Sequence, residues 1–133
     1  MAQTDEDFQS ILKTFQINQK AILDEIKKLP YNLRTATRSR SRSGSYKLTP
    51  RAKNLFKCIQ AEIDKAMIVM ITLKDQELLK LIPHATVNLR LQLIQKIMNT
   101  TFNALNKFDD QEIIQEHFQS HIQKMDAVLQ EES

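Results

Sequence analysis

Apolar residues recur at helical spacing along nearly the whole chain, and the pattern lapses only between residues 30 and 49. From 4 to 29 the seam is Phe8, Leu12, Phe15, Gln19, Ile22, Ile26 and Leu29. Its steps alternate four and three over three heptads, the spacing of a coiled-coil seam with one polar position, Gln19. In a coiled coil, Gln19 faces its own copy and fixes the register. The same spacing suits a helix laid on a bundle with Gln19 at its edge, and the two readings stand level. Thr4 with Asp7 resembles a capping box, and Asp5, Glu6 and Asp7 sit where the helix dipole favours negative charge.

Beyond the lapse, Thr49 is placed to cap a helix with Pro50 at its first position, where the missing N–H costs nothing. That helix is predicted over 50–73, with Leu55, Phe56, Ile59, Ile63, Met67, Met70 and Ile71 as its buried stripe. The run Met67–Ile71 is apolar on nearly every side, which suits the centre of a core or part of an oligomer interface. Asp75 then reads as the cap of a short helix, 76–82, carrying Leu78, Leu79, Leu81 and Ile82. Pro83 ends it, since proline disfavours helical geometry in the residue before it. A helix over 87–107 follows, starting near Thr86 or Asn88. Its buried face is expected to be Leu89, Leu93, Ile94, Ile97 and Met98, continuing to Phe102 and Leu105. Arg90, Gln92, Gln95 and Lys96 fall mostly on the opposite face. A last helix over 110–130, capped by Asp109 or Asp110, presents Ile113, Ile114, Phe118, Ile122, Met125, Val128 and Leu129.

The stretch 75–99 combines an acid, paired leucines, Leu-Ile-Pro and then a basic amphipathic helix with Lys96 ahead of Ile97. It resembles the BESS motif of insect chromatin and transcription proteins. The resemblance implies protein–protein association, often with a second copy. An ordinary helix–proline–helix corner in a bundle has the same pattern.

Composition sharpens the class. The 133 residues are 41% hydrophobic and 26% charged, with one glycine and no tryptophan, which favours helix over sheet. No apolar run is long enough to span a membrane, and the acidic, polar first residues do not suit a secretory signal. Cys58 has no partner for a disulfide, and its neighbours Leu55, Phe56 and Ile59 suggest a buried thiol in a reducing compartment.

Charge is what distinguishes the lapse. Arg34, Arg38, Arg40, Arg42, Lys47, Arg51 and Lys53 lie together without an acid among them. The net charge is +3, so the rest of the chain is acidic. Alternating Arg and Ser from 38 to 45 offers no apolar face and is expected to be a basic linker. It can meet nucleic-acid phosphates, weakly and without sequence preference, or a nuclear import receptor. A solvated linker without a partner is the plainer alternative. Ser39, Ser41, Ser43 and Thr49 are candidate phosphorylation sites, where phosphate would cancel or invert the charge.

Chemistry is sparse. His117 and His121 are one turn apart, a spacing that can hold a metal, but no third ligand accompanies them. The chain has no glycine-rich phosphate loop and no nucleophile–base pattern. The expectation is therefore an all-α protein without cofactor, metal, small-molecule substrate or enzymatic activity. It divides into an N-terminal heptad-patterned helix (1–29), a basic Arg/Ser linker (30–49) and a helical bundle (50–131). The expected role is a nuclear association module and homodimer. Its interface would use the 8–29 seam and Leu78, Leu79, Leu81 and Ile82. The alternative is a structural subunit of a cytoplasmic complex or viral particle.

Overall fold

Amphipathic stripes at helical spacing need a common core, and four helices supply it. The computed structural model describes residues 5–33 and 48–130. Helix α1 is Asp5–Lys28, α2 is Pro50–Leu78, α3 is His84–Ala104 and α4 is Gln111–Gln130, with a 3₁₀ turn at Leu105–Lys107. Among the described residues there is no strand beyond an isolated bridge at Leu48, so the all-α class expected from the sequence holds. Helices α1 and α2 run antiparallel, as do α2 and α3. Helix α1 packs on α2 and α3, while α4 packs chiefly on α2.

Helix α2 begins as its sequence dictates. Thr49 Oγ1 accepts the Ala52 N–H at 3.2 Å, and Pro50 takes the first position. The helix does not stop near residue 73. Lys74, Asp75, Gln76 and Glu77 are all tolerated in a helix, and no breaker separates them, so Asp75 is interior rather than a cap. The end comes at Lys80, which adopts φ 60°, the left-handed region. Its N–H donates to the Glu77 carbonyl at 2.9 Å and that of Leu81 to Gln76 at 2.8 Å. This is a Schellman motif built on lysine instead of glycine. Helix α3 then starts directly after Pro83, three to five residues earlier than caps at Thr86 or Asn88 would place it.

One core takes a stripe from every helix. The first seam lies inside it: Phe8, Leu12, Phe15, Ile22, Ile26 and Leu29 are buried with Leu55, Ile59, Ile63, Ile94 and Phe118. Polar ties hold α1 in place along its length. The Gln19 amide donates to the Ile97 carbonyl at 2.7 Å. Arg90 lies over the Phe8 ring, 4.9 Å from its centroid. The Lys107 ammonium caps the end of α1 by donating to the Ile26 carbonyl and, at 2.8 Å, to that of Leu29. The seam read as a coiled-coil face thus packs on the chain's own bundle, and Gln19 faces α3 instead of its own copy.

Three further expectations change. Leu89 is exposed and Arg90 buried, because α3 presents Val87, Arg90, Leu91, Ile94 and Met98 inward. Arg90 is inside because α1 brings Phe8 to it. Cys58 is exposed, one position off the stripe of Leu55, Ile59 and Ile63. Met70 is fully buried, but Ile68 and Ile71 on the same run face solvent.

Candidate functional site

The basic tract departs and returns at one place. Leu33 and Leu48 are both buried. The Leu33 N–H donates to Asp110 Oδ2 at 2.7 Å, and its carbonyl accepts the Thr49 N–H at 3.0 Å. Beside them the Asp109 N–H donates to the Tyr31 carbonyl at 2.9 Å. Asp110 is itself buried and immediately precedes α4. The two described residues that bracket the basic tract, Leu33 and Leu48, thus sit together at one end of the bundle. Arg34, Arg38, Arg40, Arg42, Lys47, Ser39, Ser41 and Ser43 lie outside the described residues.

The flanking members of the basic set have separate places. Arg51 pairs with Glu25 of α1, which holds the Glu25 carboxyl below its ordinary range and raises the Arg51 guanidinium. In each the largest cause is the mutual hydrogen bond. Lys53 is exposed. Thr49 is half-buried with its hydroxyl oxygen serving the α2 cap.

At the other end of α2 stands the second feature. Leu78, Leu79 and Leu81 are 66%, 68% and 52% exposed, while Ile82 turns inward and is buried. In a Schellman motif the residue at the Leu81 position usually packs back on the helix. Here the position it would cover is Gln76, and Leu81 stays in solvent. Ile68, Ile71 and Leu78, three and then seven residues apart, fall on one face of α2 with Asp75 between the last two, so exposed apolar side chains recur along the helix up to the corner. Across the corner the Glu77 carboxylate meets the His84 ring. The two features are far apart. Helix α2 has 29 residues, which separates its ends by about 43 Å.

A third feature has no local motif to announce it. Glu62 lies on the buried face of α2, only 6% exposed, between Ile59, Ile63 and Ala66. Neither carboxylate oxygen has a hydrogen-bond partner, and its nearest cation, the Lys65 ammonium, is 3.8 Å away on a largely exposed side chain. The signal was an acid in the phase of the apolar stripe. A stripe defined by apolar positions alone does not include Glu62.

His117 does not join His121 in a ligand set. Its ring stands edge-on to Phe56 with centroids 5.0 Å apart, and no cluster of three metal-ligating side chains occurs among the described residues. No helix there is long and apolar enough to cross a membrane. No protein-family model matches the chain, and no curated protein or solved structure matches it significantly.

Proposed function

We propose that this chain is a non-enzymatic association module of the nucleus that works from its two ends. The leucine corner and the α2 stripe bind a second copy or another protein, in the manner that the BESS resemblance of 75–99 implies. The basic loop at the far end meets nucleic-acid phosphates or an import receptor. The observation that carries the reading is the corner: three leucines more than half exposed on a turn that seats lysine in a left-handed conformation. Contiguous exposed apolar surface of this kind marks interaction sites in soluble proteins. At the far end, the sequence between the anchored Leu33 and Leu48 carries five basic residues and no acid, a composition suited to phosphate contact without sequence readout.

The test is sedimentation over a wide concentration range, for the intact protein and for Leu78→Ser/Leu79→Ser/Leu81→Ser. Because these side chains add little to the core, the triple variant should keep its melting temperature and lose association. A wild-type chain that stays monomeric and captures no partner through the corner overturns the reading. So does unchanged association in the triple variant. Nuclear accumulation lost on Arg38→Ala/Arg40→Ala/Arg42→Ala tests the other end.

A further inference from the structure

We infer that the outer face of α2 pairs antiparallel with α2 of a second copy of this chain, about a twofold axis at the level of residue 70. The inference deepens the association reading of the leucine corner and rests on it. Ala61, Lys65, Ile68, Thr72, Asp75 and Leu79 follow one another in alternating steps of four and three, the spacing of a helix-pairing seam. All six are exposed. The stripe of Leu55, Ile59, Ile63, Ala66, Met70 and Leu73, on the other side of the same helix, is buried in the bundle. Helix α2 therefore carries two seams, and its own bundle covers one of them.

The order of side chains along the outer seam decides the occupant. A twofold interface sets one residue against another and repeats the same contact in reverse, so its surface must complement itself. Centred on residue 70, an antiparallel pair sets Lys65 against the partner's Asp75, Ala61 against the partner's Leu79 and Ile68 against the partner's Thr72. The first contact joins opposite charges. The Lys65 side chain is largely exposed, with its ammonium 3.8 Å from Glu62 of its own chain, so it can extend across the pair. In the second, the small Ala61 leaves room for Leu79, which is 68% exposed on its own chain. In the third, the Thr72 hydroxyl already donates to the Ile68 carbonyl of its own helix at 2.8 Å. Its polar group is thus satisfied, and its methyl can pack on isoleucine. A parallel pair in register sets Lys65 against Lys65 and Asp75 against Asp75, and like charges so placed oppose association.

The experiment is sedimentation equilibrium of the intact chain and its variants at low salt. Ala61→Glu exchanges one good helix former for another at an exposed position, so the melting temperature should hold. It should still weaken self-association about tenfold, although it lies about 27 Å along the helix from Leu79 of its own chain. Asp75→Lys should weaken it about tenfold too, since two ion pairs become two repulsions. An equimolar mixture of Asp75→Lys with Lys65→Glu should restore association, because each then offers the charge the other needs. Lys65→Glu puts an acid beside Glu62; if that lowers its melting temperature, orientation is read from a spin label on Cys58, the single cysteine and exposed. Labels in the antiparallel dimer should lie about 36–40 Å apart, and a parallel pair would bring them far closer. A short label distance overturns the inference, as does wild-type self-association in both Ala61→Glu and Asp75→Lys. If those two associate normally while Leu78→Ser/Leu79→Ser/Leu81→Ser does not, the pairing is wrong and the corner reading stands. A monomeric wild type that binds a different protein through the corner has the same meaning. Association that survives all three changes overturns both.

Discussion

Replacing Asp110 with alanine should loosen the root of the basic loop and lower the stability of the whole bundle. The Asp110 side chain is buried and accepts the Leu33 N–H at 2.7 Å, and Leu33 is only 1% exposed. A hydrogen bond to a charged group contributes about 1.5–3 kcal/mol, and a buried N–H left without its acceptor costs a similar amount. These are partly the same loss counted from its two ends, so the sum is capped near 3 kcal/mol. A negative charge just ahead of α4 adds roughly 0.5 kcal/mol through the helix dipole. The expected loss is therefore about 3 kcal/mol, or on the order of 10 °C in melting temperature for a domain of this size. Asp110→Asn keeps an acceptor oxygen and loses the charge, so it should recover about half. Urea denaturation measures the total, and amide exchange locates it. The Leu33 and Thr49 amides should exchange far faster in Asp110→Ala, since the Thr49 N–H donates to the Leu33 carbonyl. A loss below about 1 kcal/mol, or unchanged protection at Leu33, would show that the root is held by the apolar contacts of Leu33 and Leu48 alone.

Other outcomes follow from single features. Replacing 34–47 with a four-residue turn should leave the fold intact and raise stability by about 1 kcal/mol, because a shorter loop closes at lower entropic cost. The same variant should lose salt-sensitive binding to heparin or nucleic acid, and retention of that binding would move the basic site elsewhere. Lys80→Gly should stabilise by about 0.5–1 kcal/mol, as glycine adopts φ 60° without the steric cost lysine bears. A lower melting temperature there would mean that the lysine side chain itself stabilises the corner. The Glu25 carboxyl is held below its free value of 4.5 by the bond from Arg51. Its contribution is therefore present above that value and lost as pH falls through the depressed one. Arg51→Met should flatten this part of the stability profile between wild type and variant, and an identical acid limb would show the pair to be inert.

Much of the fold could be read from spacing because burial drives it and burial has a period. The stripe of α4, most of the stripe of α2 and the Thr49–Pro50 start follow from local rules. Ile71, by contrast, faces solvent, and α2 runs past Asp75 to a turn at Lys80 instead of giving way to a separate helix ended by Pro83. Local rules do not set the phase of α3 either. Leu89 and Arg90 are neighbours, and hydropathy alone sends the leucine inward. The actual choice depends on Phe8, more than eighty positions away, which offers its ring to the guanidinium. The seam at 8–29 was ambiguous for a related reason. A four-three alternation describes the stripe but not what it meets, and one residue, Gln19, can suit a coiled-coil register or a bond to Ile97. Nothing in the local sequence announces that Asp110 will reach Leu33, so the loop's fixed root was invisible. Candidate sites are the least legible, since a buried Glu62 without hydrogen-bond partners is defined by the partners it lacks.

On the proposed reading, helix α2 lets association and folding be altered separately. It is the helix that meets α1, α3 and α4, so its inward face (Leu55, Ile59, Ile63, Ala66, Met70, Leu73) binds the bundle together. Its outward face carries Ile68, Ile71 and Leu78, which no core contact requires. Selection for stability alone would not keep three large aliphatic side chains there, since polar residues fit exposed helix positions and limit aggregation. Nor would it favour lysine over glycine at residue 80. The two departures from a stability-optimised sequence thus lie towards the C-terminal end of one helix, whose N-terminal end, about 43 Å away, follows the basic tract in sequence. At that distance two occupied sites do not touch, so any coupling between them must pass through α2 itself. A rigid helix packed on three neighbours has no second arrangement to offer, and the two ends should therefore bind independently.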